Sequence, residues 1–198
     1  MKRKIAFKLL IISWLMCQSL AYSQSLDTSF SKNHQITNNS GKYKDSIIKQ
    51  EWSPNSIPDS LLFDGIQKYT FPNTHLTLIP PKTYRADNRG NIIHDWTGSS
   101  IQCTIVNSGY SSLLKTIHKE TFEKQGFTYI NQETLSTRSN KEGTIFLIGF
   151  TLNGIEYERI TFFIGNNTET AWLSINYPVM MKSLLFETIE NCLTTIEF

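Results

Sequence analysis

The feature that most constrains the fold is a run of strand patterns joined by tight turns in the second half of the chain. Asn153-Gly154 is its strongest local signal, because a two-residue hairpin needs positive φ angles that Asn and Gly adopt at little cost. Long apolar segments flank this turn, Thr144 to Leu152 before it and Ile155 to Ile164 after it. Gly165-Asn166-Asn167 then turns the chain into Ala171 to Tyr177, whose residues alternate between two faces. The sequence therefore predicts a series of antiparallel hairpins.

Helical patterns bracket these hairpins. The spacing of apolar residues predicts one helix over Tyr110 to Gln125, ending at Gly126, and a final helix over Pro178 to Thr195. Further strands are predicted at His75 to Ile79, Ser100 to Asn107, Phe127 to Ile130 and Glu133 to Thr137. Because helices do not alternate with strands, the predicted class is α+β, with a central antiparallel β-sheet flanked by helices.

The first two dozen residues have the pattern of a secretory signal peptide. Four basic residues precede an apolar run from Leu9 to Cys17, and Ala21-Tyr22-Ser23 places small residues before a cleavage point. The run is shorter than the roughly 20 residues that a spanning helix needs, so we expect no integral membrane span after cleavage. Lipidation of Cys17 is disfavoured, because bulky Met16 precedes it.

Residues 24–50 are rich in Ser, Asn, Lys, Gln and Thr and show no hydrophobic period, which predicts a flexible polar tether. The predicted organisation is a signal peptide (1–23), this tether (24–50) and one α+β domain (51–198).

Four of the 19 basic residues lie in the signal, which leaves 15 against 17 acidic residues and a net charge of about −2. We therefore expect no nucleic-acid partner, and an exported location, periplasmic or extracellular.

Two cysteines, Cys103 and Cys192, remain after signal cleavage. An oxidising compartment permits one disulfide between them, whereas two free thiols in the core are the alternative. Sequence leaves both open, since it does not supply the separation of the two Cα atoms.

A binding surface is predicted on the second face of the sheet. Trp172 points away from Leu173 and Ile175, and Ile145 and Leu147 alternate with their neighbours along another strand. If no layer covers it, a face carrying Trp172, Ile145 and Leu147 is an apolar groove of the kind that binds a partner. In the alternative, the segment from Leu61 to Ile66 covers it.

No convincing catalytic, metal or cofactor motif occurs. The four histidines have no partner at metal-ligand spacing, and neither a phosphate loop nor a dinucleotide fingerprint is present. His94-Asp95 is a candidate catalytic fragment, but adjacent loop residues seldom face one point. Glu156 and Glu158 are candidate paired acids, although such residues more often form the solvated side of a strand. We expect no cofactor and no enzymatic activity.

Several segments together resemble PsbP-like proteins. Thr70 to Pro81 resembles their opening strand, and Phe122 to Phe127 resembles the end of their helix. Asn153 to Gly165 resembles their central hairpin, and Ile175 to Pro178 resembles their last strand. The resemblance covers about Thr70 to Phe198. It implies an α/β/α sandwich, shared by extrinsic photosystem subunits, Ran-binding Mog-type proteins and bacterial periplasmic proteins or chaperones.

The resemblance also implies a non-enzymatic binding or accessory role with a protein or membrane-complex partner. It identifies no binding residue in this chain. Two alternatives stay open: a secreted hydrolase assembled from residues such as His94, Asp95 and a loop serine, or a carrier of a small apolar ligand held between sheet and helix.

Overall fold

The computed structural model describes residues 61–198, and strands dominate this part of the chain. All of the described residues belong to one compact unit. The predicted signal peptide and tether lie outside the described residues, as do the first ten residues of the predicted domain. The strands are β1 (Tyr69–Thr70), β2 (Thr77–Leu78), β3 (Arg85–Ala86), β4 (Ile92–His94), β5 (Ser99–Val106), β6 (Thr128–Ser136), β7 (Glu142–Leu152), β8 (Ile155–Gly165) and β9 (Thr170–Pro178). The helices are α1 (Tyr110–Leu114), α2 (Lys119–Glu123) and α3 (Lys182–Thr194), and a 3-10 turn, Val179–Met181, precedes α3.

Seven strands form one antiparallel sheet in the order β3-β4-β5-β9-β8-β7-β6, and β1 and β2 pair separately. The chain leaves β5, crosses to the far edge at β6, and returns through three successive hairpin connections until β9 lies beside β5. The crossing segment contains α1 and α2, while α3 follows β9. The predicted class is therefore confirmed at the level of a large antiparallel sheet with a few helices.

The turn at Asn153-Gly154 is confirmed. Both residues have positive φ, 51° and 80°, which is the backbone that a two-residue hairpin of the primed type requires. The flanking strands pair from Leu152 and Ile155 through to Thr144 and Phe163 without a shift in register. This regular register fixes which side chains of β7 and β8 share a face.

Cross-strand pairing divides the sheet into two faces. Each residue on one face is opposite a residue of the same face on the neighbouring strand, and the two sets alternate along the chain. The first face includes Ile145, Leu147, Ile160, Phe162, Leu173 and Ile175. The second face includes Thr144, Phe146, Arg159, Thr161, Phe163, Trp172, Ser174 and Asn176.

Helices contact both sets of side chains. Leu185, Ile189 and Leu193 of α3 are buried in one cluster with the first face. On the second face, the ring of Phe122 in α2 lies 5.3 Å from that of Phe146, and the Tyr110 hydroxyl of α1 lies 2.7 Å from Thr144 Oγ1. The crossing from β5 to β6 therefore carries its helices over the second face.

The helix predicted over Tyr110 to Gln125 is interrupted. Thr116 closes α1 with an i to i−3 turn, its backbone N–H and its hydroxyl both donating to the Leu113 carbonyl. The backbone N–H of His118 then donates to Thr121 Oγ1, which begins α2. Competing Thr side-chain bonds therefore divide what apolar spacing predicts as one helix.

The final helix also begins later than predicted. Pro178 is extended (φ −63°, ψ 137°) and is the last residue of β9, opposite Tyr157. Proline has no backbone N–H to donate to the sheet, and this loss has little effect at a strand end, where the pairing stops. The two strands predicted at Phe127 to Ile130 and Glu133 to Thr137 are one strand, β6, with a register shift between Tyr129 and Asn131. Within residues 61–198, no helix has the length and apolarity needed to cross a membrane.

Candidate functional site

The predicted binding residues do not share one face. Ile145 pairs through Phe162 with Leu173, and Leu147 through Ile160 with Ile175, which places Ile145 and Leu147 on the first face. Trp172 pairs with Phe163 and lies on the second face. The grouping of Trp172 with Ile145 and Leu147 is therefore wrong, because alternation within each strand does not reveal how two strands are registered. A binding role for Trp172 itself stays a prediction.

An open apolar groove is likewise not found at these residues. Ile145 and Leu147 are buried in the cluster that packs against α3, and Trp172 is buried as well. The side chains of Leu61 and Ile66 are exposed, so these two residues are not packed over Trp172. On the second face, an aromatic row runs from Phe122 through Phe146 and Phe163 to Trp172, with ring centroids 5.3 to 6.0 Å apart.

A polar row lies beside this aromatic row. On β8 and β9, Arg159 is opposite Asn176, Thr161 is opposite Ser174, and Phe163 is opposite Trp172. Four of these residues carry buried side-chain nitrogen or oxygen atoms without a hydrogen-bond partner in the protein. We call these four the second-face strip: Arg159, Thr161, Trp172 and Ser174.

The Arg159 guanidinium is the most unusual group of the strip. Its side chain is 0% exposed, and its Nε donates a 2.6 Å hydrogen bond to Asn176 Oδ1. Both terminal nitrogens have no hydrogen-bond partner. The rings of Phe127 and Phe150 lie 5.4 and 5.2 Å from its Cζ, which is within cation-π range. Burial lowers the pKa of Arg159 to about 10, so the group is still a cation at neutral pH.

A second polar cluster lies at the end of the first face. Tyr177 Oη donates a 2.6 Å hydrogen bond to Glu158 Oε2, and Lys182 Nζ lies 3.0 Å from the same carboxylate. Burial, followed by the bond to Glu158, raises the pKa of Tyr177. Glu158 is buried rather than on a solvated side of the strand, and Glu156 is exposed. The two glutamates therefore have separate environments.

The two residues of the predicted catalytic fragment, His94 and Asp95, interact with different partners. His94 Nδ1 lies 2.7 Å from Thr97 Oγ1, and its ring stacks on Tyr84 with centroids 4.8 Å apart. Asp95 accepts two hydrogen bonds from Arg85, at 2.6 and 2.7 Å. Burial lowers the pKa of His94, and the charge of Asp95 opposes this effect. Each side chain thus has a structural partner, and the hydrolase alternative stays untested.

Both cysteines of the described chain are free thiols. Cys192 lies in the core beneath the first face, and Cys103 packs against the same core. Burial raises the pKa of each thiol to about 12. The arrangement corresponds to the free-thiol alternative, and a redox experiment on the protein is the test of the disulfide.

Exposed apolar side chains gather where β8 begins and α3 starts. Tyr157 is opposite Pro178 at the end of β9, and the 3-10 turn Val179–Met181 that follows contacts β8. Met180 lies in that turn, and Leu184 lies in the first turn of α3. Ile155, Met180 and Leu184, which we call the apolar patch, are 40%, 77% and 55% exposed.

Within the described part of the chain, no group of three or more His, Cys, Asp or Glu side chains is arranged to hold a metal ion. Sequence reasoning missed Arg159, Thr161 and Ser174. The available signal was Arg159, immediately before the mostly apolar run from Ile160 to Ile164 and opposite a strand in which other residues alternate with Ala171, Leu173 and Ile175.

Comparisons with known proteins give structural similarity only. No family model matches the chain, and no curated protein matches it. Among solved structures, it is similar to cyanobacterial PsbP (CyanoP) from Synechocystis, with 8% identity, a TM-score of 0.48, and coverage of 66% of this chain and 91% of that one. It is also similar to LpqN, involved in cell envelope biogenesis of Mycobacterium tuberculosis, with 12% identity, a TM-score of 0.47, and coverage of 66% and 89%.

A third similar structure is a protein from Bacteroides thetaiotaomicron, with 14% identity and a TM-score of 0.42. The match covers 66% of this chain and 47% of that protein, so it spans about half of the Bacteroides chain. All three TM-scores lie below 0.5. These similarities therefore assign no role to the chain.

Proposed function

We propose that this protein is an exported, non-enzymatic binding or accessory protein that associates with a protein subunit of an envelope complex. The proposed architecture is the α/β/α sandwich of PsbP-like proteins, with α3 on the first face and α1 and α2 on the second. The signal-peptide pattern of residues 1–23 supports export. The apolar patch supports the association.

The apolar patch is the observation that carries this proposal. Ile155, Met180 and Leu184 expose large side chains at the start of β8, on the turn that contacts β8 and on the helix that contacts this turn, whereas exposed apolar residues that have no role are usually scattered singly. Unbranched methionine adapts to irregular partner surfaces. Lys182 lies between Met180 and Leu184 in the chain and forms an ion pair with Glu158. This ion pair supplies a polar border of the kind that surrounds protein interfaces.

Site-specific photo-crosslinking in the native envelope tests this proposal. A benzophenone amino acid is placed at Met180 or, as a control, at exposed Glu120 in α2. We expect one defined protein adduct from position 180, absent from position 120, and lost when Ile155→Lys and Leu184→Lys are added. Equal labelling from both positions, or an adduct insensitive to the two substitutions, refutes the patch as an interface.

The two alternatives predict different results. A hydrolase built on His94 and Asp95 requires activity that His94→Ala abolishes and that the patch substitutions leave intact. A carrier of an apolar ligand requires a bound lipid or hydrocarbon in protein purified from its host, which native mass spectrometry detects as an added mass.

A further inference from the structure

The two edges of the seven-stranded sheet differ in length and exposure. At one edge, β3 has two residues, both half-buried, and the N–H of Phe63 donates to the carbonyl of Tyr84, which precedes β3. At the other edge, β6 has nine residues, of which seven are exposed. Within residues 61–198, no strand lies beyond β6. A long, exposed edge carries a row of unpaired backbone groups to which another strand can add.

The features that commonly block an edge are confined to one end of β6. Lysine, proline and bulges discourage pairing between edges. The strand has neither lysine nor proline, and its register shift lies between Tyr129 and Asn131. From Asn131 to Ser136, β6 pairs with β7 without interruption, and Glu133 is the only charged residue of this regular part. The regular part of β6 is therefore suited to pairing on its free side.

The hydrogen-bonding pattern of β6 shows which of its backbone groups face outward. The N–H of Thr137 donates a 2.9 Å hydrogen bond to the carbonyl of Lys141, across the hairpin that joins β6 to β7. Hydrogen-bonded and non-hydrogen-bonded pairs alternate along an antiparallel ladder, so the next pair, Ser136 with Glu142, is of the second kind. Every second residue of β6 therefore points its N–H and C=O groups away from β7. Within the regular part of the strand, these outward residues are Gln132, Thr134 and Ser136, and all three are exposed.

The outward residues are placed symmetrically about Thr134. When two copies of β6 pair antiparallel across a two-fold axis at Thr134, each Thr134 is opposite the other, and Gln132 of each copy is opposite Ser136 of the other. All outward N–H and C=O groups then meet as hydrogen-bonded pairs. A shift by two residues in one direction would bring Ser136 opposite Ile130, where the register of β6 is already irregular. A shift in the other direction would bring Gln132 opposite Arg138, whose N–H already donates to a carbonyl of α3.

We propose that β6 is a dimerisation edge, on which a second copy of this chain adds its own β6, antiparallel, across a two-fold axis at Thr134. The same edge serves both copies, so the assembly closes at two and forms one continuous sheet. Threonine opposite threonine is a favourable cross-strand pair, and Glu133 lies opposite Leu135 rather than opposite its own copy. This inference uses no residue of the apolar patch and does not depend on the protein partner proposed for it.

The dimer should be weak and sensitive to salt. A single strand edge is smaller than a standard protein interface, and small interfaces are typical of transient association. In the proposed register, the two Glu133 side chains are diagonal neighbours, about 7–8 Å apart, and added salt screens their repulsion. Glu133→Gln should therefore tighten the dimer about twofold at low salt, and less at high salt. An unchanged or weaker dimer at low salt rules out pairing centred on Thr134.

Sedimentation equilibrium of the chain from Gln24 to Phe198 tests the association. Between about 10 µM and about 1 mM, we expect the average mass to rise from that of one copy towards that of two. Thr134→Lys should weaken the dimer about fivefold or more, because it places two like charges directly opposite each other. Thr128→Lys is the matched control and should change affinity less than about twofold, since Thr128 is exposed on the same strand but precedes the register shift. A single copy throughout this range, or equal effects of the two lysines, overturns the proposal.

A second variant removes the central backbone donor itself. Because the N–H of Thr134 points outward, Thr134→Pro removes no hydrogen bond to β7. It should abolish the dimer over the same concentrations and leave the circular dichroism spectrum unchanged. A folded Thr134→Pro variant that still forms the dimer overturns the proposal. If this variant does not fold, the comparison of Thr134→Lys with Thr128→Lys decides alone.

Amide hydrogen exchange identifies the strand that occupies the edge. The amide hydrogens of the outward residues should become more protected as the protein concentration rises, whereas those of Glu133 and Leu135, which bond to β7, should be protected at every concentration. Protection of the outward residues that does not depend on concentration would show that a segment of the same chain lies on β6, and would refute the second copy. A dimer that leaves these residues unprotected uses another surface and also refutes the proposal. The same holds for a dimer that Ile155→Lys with Leu184→Lys abolishes and Thr134→Lys does not.

Discussion

Tyr177 and Glu158 lie opposite each other on β9 and β8, and the tyrosine hydroxyl donates a 2.6 Å hydrogen bond to the buried carboxylate. Bonds of this kind to a charged acceptor contribute about 1.5–3 kcal/mol, more than those between neutral groups. We therefore expect Tyr177→Phe to lower the free energy of unfolding by about that amount in urea titrations. Within residues 61–198, the carboxylate then keeps its interaction with Lys182.

Tyr110→Phe is the matched control for this prediction. It removes a hydroxyl whose partner, Thr144 Oγ1, is neutral and lies at a similar distance, 2.7 Å. The expected loss is about 0.5–1.5 kcal/mol. Equal losses in the two variants would show that the charge of Glu158 adds nothing to the bond.

The two thiols should be unreactive in the folded protein. Burial raises the pKa of Cys103 and Cys192 to about 12, and the thiolate is the species that reacts with aromatic disulfide reagents. At pH 8, we expect slow labelling of the folded chain from Gln24 onward and rapid labelling of two thiols in denaturant. An absence of thiols in the denatured, unreduced protein would instead demonstrate a bridge between Cys103 and Cys192.

The same two thiols should make the fold sensitive to alkali. Their pKa rises on folding from 9.0 to about 12, so the unfolded chain releases its thiol protons first. The stability they contribute is complete below pH 9 and is lost as the pH rises towards 12, by about 1.4 kcal/mol per pH unit for each thiol. Urea titrations from pH 8 to 10.5 should show this slope, and Cys103→Ala with Cys192→Ala should reduce it. An unchanged slope in the double variant excludes the thiols as its source.

The contribution of His94 to the stability of the fold should decrease at low pH, whereas that of the two thiols decreases at high pH. Burial lowers its pKa in the folded state, so its stabilising contribution is present above 6.5 and decreases as the pH falls below that value. Proton NMR should give a midpoint for His94 below 6.5, and Asp95→Asn should lower it further, because Asp95 opposes the shift. A midpoint that rises in Asp95→Asn would contradict this account.

Sequence reasoning succeeded where the determinants are local. The hairpin at Asn153-Gly154 follows from the backbone preferences of two adjacent residues, and the strand at Ser100 to Asn107 follows from its alternation. The helix of residues 110–125 was wrong because Thr116 and Thr121 form side-chain bonds to nearby backbone groups. Apolar spacing is insensitive to such bonds.

The candidate site was harder to predict because it depends on pairing between strands. The alternation of Ala171, Leu173 and Ile175 with Trp172 and Ser174 is correct, yet alternation alone does not distinguish a polar residue in water from one beneath another layer. Nor does it place Trp172 relative to Ile145, since that requires the register of β8 against both of its neighbours.

Two glycines on β7 should respond oppositely to the same substitution. A Cβ at Gly143 would lie 2.3 Å from ring carbons of Phe162, a core residue, and 2.8 Å from the Phe163 carbonyl oxygen, whereas a Cβ at Gly149 would meet nothing closer than 3.6 Å. Overpacking a core costs about 1–3 kcal/mol, while replacing a strand glycine without a clash removes about 0.5–1 kcal/mol of entropic cost. We therefore expect Gly143→Ala to destabilise the protein and Gly149→Ala to be neutral or stabilising in urea titrations. Equal effects would mean that Phe162 does not pack over Gly143 as the register of β7 and β8 requires.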